Sequence, residues 1–322
     1  MSPVRIAFTI AFACLATTAG YASEYPTRPI RIIAQFTPGT STDILARVVA
    51  QKMSEDWGHQ VIVENRPGAG AVIGTEIGAK APPDGYTLTM AVSSAFGINP
   101  TLYAKLPYDA IKDFAAISNL GLTPQTLVAS PLAAFKTLKE FVATAKEKPG
   151  QIAFASLGSG STSHLTMEMF AATAGLKLNH VPFKGSADAQ TQMIGGQVPV
   201  GSDAIPATMP HIKSGKLRGL GIATLTRSPF LTEVPTIAES GYPGFEAVGW
   251  IGIAAPAKTP EAILDKLNQE MVKIINQADV KERLAALAFT PAAGTRAEFA
   301  QYIKSEIAKW GKAVRDSGAK AE

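Results

Sequence analysis

The chain has 322 residues, 46% of them hydrophobic and 17% charged, with a formal net charge of +4 and a single cysteine, Cys14. That length suits two domains and that balance suits a well-packed globular fold, which excludes a disordered or low-complexity chain. The small positive charge comes without any Lys or Arg block, so there is no nucleic-acid footprint.

Met1–Ala22 has a basic start at Arg5, an apolar run from Ile6 to Ala16 and the small residues Gly20 and Ala22, the pattern of an export signal. The run is too short to cross a bilayer. Cleavage after Ala22 removes Cys14, which excludes a thiol nucleophile and a disulfide framework in the product. Lipid attachment at Cys14 is the alternative, and the short apolar stretch before it argues against it.

Ile30, Ile32 and Ile33 then make a β-branched run, expected as a strand over 31–35. The loop Gln35-Phe36-Thr37-Pro38-Gly39-Thr40-Ser41-Thr42-Asp43 follows, and helical spacing from Ile44 to Met53 predicts a helix over 43–57, with Gly58 as its stop. A strand, a hydroxyl-rich loop and a helix start offer free N–H groups and the positive end of the helix dipole to an anion. Taken alone, the same stretch also fits an ordinary loop with Ser41 or Thr42 as helix cap.

Val61–Gly74 looks at first like a dinucleotide fingerprint, but Gly68, Gly70 and Gly74 are spaced one residue too far and Arg66-Pro67 interrupts the turn. A tight turn into a helix is the better reading. Further strands are expected at 86–92, 126–130, 152–156, 178–182, 198–203, 218–224 and 248–254, with helices near 70–80, 138–147, 163–174, 187–194 and 206–214. Such alternation predicts α/β domains with largely parallel sheets. Thr137 with Glu140 and Thr295 with Glu298 fit capping boxes, and Thr259-Pro260 fits a cap followed by proline at the first helical position. Beyond residue 260 the chain reads as mostly helical, with Phe299, Ile303, Ile307, Trp310 and Val314 on one apolar stripe.

A second strand, hydroxyl loop and helix start runs from Ala155 to His164, with Ser156, Ser159, Gly160, Ser161 and Ser163 in it. Its glycines let backbone approach a ligand, and its hydroxyls donate to a carboxylate without burying a second charge. No G-x-S-x-G occurs, the four histidines are scattered, and no metal-ligand spacing appears, so neither a serine hydrolase nor a metal or cofactor site is expected. Lys184 and Gly185 follow one strand and Asp203 ends another, where open α/β sheets place ligand contacts.

The phrases QFTPGTSTDILAR, VIVENRPGAG, PPDGYTL, GSTSHL, VPFKGSA and SPFLTEVPTIAESGYPGFE, in order from about Tyr25 to the C-terminus, resemble the Bug family, the solute-binding receptors of tripartite tricarboxylate transporters. The resemblance implies a two-domain α/β periplasmic binding protein of the type II, Venus-flytrap kind, with its ligand in the cleft between domains. It implies a receptor rather than an enzyme, monomeric, periplasmic in a Gram-negative bacterium, without cofactor. Its partners would be a small organic anion (a di- or tricarboxylate, an acidic amino acid or an aromatic acid) and large and small membrane subunits. An exported hydrolase or lyase acting on a small acid, or a sensor for a signalling protein, is the alternative.

By the same resemblance, the loop with Phe36, Pro38, Gly39, Thr40 and Asp43 and the loop with Ser156, Ser159, Gly160, Ser161, Ser163 and His164 would pinch one carboxylate. Ser93, Ser94, Lys184, Gly185 and Asp203 would read the remainder. The chain would cross between domains near Thr123–Gln125 and Thr224–Arg227, giving one domain of 24–124 with 226–322 and a second of 125–225. Two departures bear on the ligand. The family's PFPPGG reads QFTPGT here, and its aromatic-Asp-Asn turn reads Ser202-Asp203-Ala204.

Overall fold

The computed structural model describes residues 25–321; the export signal expected over 1–22 lies outside them. β1 (Ile30–Ala34) is wholly buried at its isoleucines, and it runs parallel to β2 (Val61–Asn65) on one side and β3 (Thr87–Val92) on the other. β9 (Val248–Pro256) lies antiparallel beside β3, and the long β4 (Phe114–Ala129) lies antiparallel beside β9. A two-residue strand, β10 (Thr290–Pro291), pairs with the far side of β4.

β4 organises the molecule. Up to Pro124 it pairs with β9, and from Gln125 onward it pairs with β7 (Val200–Ala204) and β8 (Arg218–Ile222). Next to β7 come β5 (Ala153–Ser156) and β6 (Asn179–Pro182), both parallel. One strand therefore serves two sheets. The expectation of largely parallel sheets is corrected here, because every pairing made by β4 or β9 is antiparallel. β3 and β4 point the same way and are joined through the helical turns of residues 93–98 and α3 (Asn99–Leu102), but β9 is inserted between them in the opposite direction, so its pairing with each is antiparallel.

The helices are α1 (Ser41–Trp57), α2 (Val72–Ala79), α4 (Leu138–Glu147), α5 (Thr162–Ala174), α6 (Ser186–Ile194), α7 (Ile205–Lys213), α8 (Glu261–Asn276), α9 (Ala278–Ala286) and α10 (Arg296–Ser317). α1 stops at Gly58, whose φ of 67° is left-handed, as the sequence led one to expect. Thr295 and Glu298 make a complete capping box. Thr137 caps α4, but Glu140 reaches past it to accept from the Lys136 N–H, so that box is half made. α8 begins one residue later than expected, since Thr259 Oγ1 donates to the Pro256 carbonyl and Pro260 itself takes the cap position.

One hydrophobic core joins β1, β3 and β9 to α1 and α8 through Ile30, Leu45, Met90, Ile253 and Leu267. Another joins the second sheet to α4 and α5 through Leu127, Phe141, Phe154 and Phe170. Ile237, Phe245 and Ala247 belong to this second core, although they follow β8 in sequence. α10 spans both: Phe299 packs in the first core, Trp310 in the second, and buried Glu306 accepts from Nε1 of Trp250 at 2.9 Å and of Trp310 at 2.8 Å. No helix among the described residues is long and apolar enough to cross a membrane.

Candidate functional site

The first hydroxyl loop leaves β1 at Gln35 and enters α1 with Thr40 as its cap, so the hydroxyls of Ser41 and Thr42 stand in the first turn. Thr40 Oγ1 accepts from the Asp43 N–H, which leaves the N–H groups of Ser41 and Thr42 without intrahelical partners. Asp43 braces this loop from behind. Its carboxylate accepts from the Gly39 N–H at 3.0 Å, the Asn65 amide at 2.9 Å and Arg47 Nε at 3.0 Å, while the same Asn65 amide holds the Phe36 carbonyl. Burial works against the Asp43 charge, yet these hydrogen bonds and the Arg47 charge hold its carboxyl below the ordinary 3.8.

The second loop leaves β5 and enters α5 with Ser161 as cap to the His164 N–H. Ser163 Oγ accepts from the Leu157 N–H and lies 3.0 Å from Ser161 Oγ. Ser156 Oγ accepts from the Gly158 N–H and bonds to His180 Nε2 at 2.6 Å. His164 Nδ1 accepts from the Gly160 N–H, and the ring stacks on His180 with centroids 4.1 Å apart. Burial first, and the neighbouring His180 second, push the His164 pKa down to about 3, so the ring is neutral at ordinary pH. With Nδ1 accepting, its proton sits on Nε2. His164 is a brace, not a base.

Between the loops lies a cavity of about 50 Å³. Phe36, Thr40, Ser41 and Thr42 line it from the first loop, and Leu157, Ser161, Thr162 and Ser163 from the second. Val92, Ser93 and Ser94 reach it from the end of β3, where Ser93–Ile98 winds as a π-helical turn. Thr123 and Gln125 come from the point where β4 changes sheets, Asp203 and Ala204 from the end of β7, and Trp250 and Ile251 from β9. Ser93 Oγ and Thr162 Oγ1 meet at 2.8 Å, while Ser41 Oγ and Ser94 Oγ are buried without a protein partner. No Lys or Arg lies on this wall, and Asp203 is its one charged group.

Of the residues singled out in the sequence, Phe36, Thr40, Ser93, Ser94, Ser161, Ser163 and Asp203 line this cavity together. Pro38 and Gly39 form the exposed tip of the first loop, and Asp43, Ser156, Gly160 and His164 stand behind the walls. Ser159 and Lys184 line a neighbouring cavity of about 280 Å³ that shares Phe36 and Leu157 with the first. Gly185 packs so tightly on Thr37 that a Cβ there would stand 1.8 Å from Thr37 Oγ1. Lining residues that the sequence does not single out as ligand contacts are Ser41, Thr42 and Thr162, which sit inside the two chosen loops, and Thr123 and Gln125, which it places only at a crossing between domains. Among the described residues no His, Cys, Asp and Glu group is arranged to hold a metal.

Residues 45–319 match the family described as the tripartite tricarboxylate transporter family receptor. Protein BugT of Bordetella pertussis is 39% identical over 300 residues, covering 93% of this chain and 92% of that protein. Two solved structures share the fold closely. Rpa4515 of R. palustris with adipate has a TM-score of 0.90 at 30% identity, over 92% of this chain and 100% of that one. MatC from Rhodopseudomonas palustris with bound malate has a TM-score of 0.86 at 31% identity, over 90% and 100%.

Proposed function

The chain belongs to the tripartite tricarboxylate transporter receptor family, and from that membership we propose that it is a periplasmic receptor which captures a small organic carboxylate and delivers it to large and small membrane subunits. The observation that carries the reading is the convergence of two helix N-termini, with their hydroxyls, on one cavity. Helix starts and hydroxyls receive an anion without burying a counter-ion. The ligand carboxylate would take the N–H groups of the α1 and α5 first turns and the free hydroxyls of Ser41 and Ser94. Similarity to proteins solved with adipate and malate supports the same ligand class.

Capture requires two lobes that close. The division expected from the resemblance is kept at its first crossing, Pro124–Gln125, on the support of the exchange of β4 partners there. The second is drawn at Ala247–Val248 instead of 224–227, because Ile237, Phe245 and Ala247 pack in the second core. Binding without turnover also belongs to the proposal, supported by the occupied Nδ1 of His164 beside the serines.

A thermal-shift screen of residues 23–322 against mono-, di- and tricarboxylates, acidic amino acids and aromatic acids tests it. A ligand at about 100 times its Kd adds about 2.7 kcal/mol, a rise of several degrees in Tm. A folded, ligand-free protein unmoved by the whole panel, or chromatographic turnover of a bound acid, would defeat the proposal.

A further inference from the structure

Asp203 stands in a cavity otherwise furnished for an anion. Its side chain is 5% exposed, at the end of β7, where it faces Thr126 of β4 across the sheet. Oδ1 accepts from the Ala204 N–H at 2.8 Å, and Oδ2 accepts from the Gln190 amide at 3.2 Å. The Gln190 amide is itself tied to the Ala207 carbonyl, so the carboxylate is held in place from behind. The buried Ser186 hydroxyl is a third donor that favours the charge, and of a carboxylate's roughly four acceptor positions these contacts leave about one, on a residue that lines the cavity. No cation on that wall balances it. Burial pushes its pKa up to about 6, against the hydrogen bonds that favour the charge, so at pH 7.5 it remains mostly ionised and accepts only.

The two requirements sit close together, because the cavity is small beside the ~300–1,000 Å³ of ordinary ligand pockets. A plain carboxylate bound there would leave Asp203 buried with an unmet acceptor, facing a like charge. We propose that the ligand is a small hydroxy acid or amino acid whose hydroxyl or ammonium, a few bonds from the carboxylate, donates to Asp203. This rests on the carboxylate-receptor reading above and narrows it. A second carboxylate, where the ligand has one, would have to extend toward the neighbouring cavity that Lys184 lines. A site built to hydrogen-bond a donor discriminates strongly against the analogue that lacks it.

The test is calorimetry at pH 7.5 on protein stripped of ligand by unfolding and refolding. The probes are matched pairs on one carbon skeleton: lactate and propionate, 3-hydroxybutyrate and butyrate, malate and succinate, glutamate and glutarate. In any pair that binds, the donor-bearing acid should bind about 10- to 100-fold more tightly, the worth of a hydrogen bond to a charged group. Asp203→Ala should bring that ratio near one, and Asp203→Asn should erase it for the ammonium ligand. Equal or tighter binding of the plain acid by the native protein overturns the proposal, as does a ratio that survives in both variants. Should neither variant fold, the native ratio decides. If no small carboxylate binds the folded protein, the receptor reading falls and this one with it; binding with the wrong ratio removes this one alone.

Discussion

Asp43 does not line the cavity between the loops, and yet the shape of the first loop hangs on it. Gly39, Asn65 and Arg47 all donate to its carboxylate, so Asp43→Ala leaves three donors without their acceptor. A loss of about 1–3 kcal/mol follows from the unmet groups, weighted to the lower end because Arg47 is half exposed and finds water. Chemical denaturation measures it, and the ligand affinity should fall with it as the loop loosens. The residue types that announce an anion loop were legible in the sequence. Which of them face the ligand and which hold the loop from behind was not, because a carboxylate in such a loop looks the same in either place.

His164 gives the residue scale its pH dependence. Its folded pKa lies near 3 against an ordinary 6.5, so below pH 6.5 the unfolded chain takes up a proton that the folded chain refuses. Stability is therefore full above pH 6.5 and declines as pH falls toward 3, by up to about 1.4 kcal/mol per unit for this one site. Asp43 adds to the decline only at the acid end, since its depressed pKa makes its contribution full above about 3.8 and lost as pH falls further. His164→Asn keeps an acceptor for Gly160 but does not titrate. Melting curves from pH 7 to 4.5 should be flatter in the variant, and identical slopes would mean that another group governs the acid side.

At the scale of elements, the caps separate stability from binding. Ser161 and Thr137 both cap helices of the second sheet's lobe, through hydrogen bonds of 3.2 Å. Ser161 lines the cavity and Thr137 does not. Ser161→Ala and Thr137→Ala should each cost about 1 kcal/mol of stability, while only Ser161→Ala weakens ligand binding. Equal affinities in the two variants would remove α5 from the site. Most elements were legible from periodicity and turn residues, and β4 shows why one was not. Only its last residues read as a strand, because Asn119, Gly121 and Pro124 carry the signals of a loop. They are tolerated because the strand shifts register with β9 between Ala116 and Ser118 and between Asn119 and Gly121. Crossing from one sheet to another asks for such irregularity, which local propensity records as an interruption.

For the whole molecule, the closure that the proposed capture requires would be limited by the contacts around the cavities. Tyr103 Oη donates to the Ser159 carbonyl at 3.2 Å, Ser93 meets Thr162, and Gly185 lies on Thr37. At Gly70 the neighbour is backbone rather than a side chain: a Cβ there would stand 2.0 Å from the Ser159 carbonyl oxygen. Two such surfaces approach only if one carries no side chain. Gly70→Ala should therefore hold the 68–71 turn away from the second loop and, with capture by closure as proposed, lower ligand affinity about tenfold or more. Gly70 is also left-handed, with φ of 56°, so alanine adds about 1–2 kcal/mol of backbone strain whatever it touches. Gly150 separates the two effects, because its φ is 75° and nothing lies within 4 Å of its missing Cβ. Gly150→Ala should bear similar strain and bind as the native protein does. Small-angle scattering then reads the closure itself: ligand should shrink the radius of gyration of the native protein and of Gly150→Ala, and leave that of Gly70→Ala larger. If Gly70→Ala contracts and binds like the control, the contact with Ser159 does not limit closure, and the lobes must meet elsewhere.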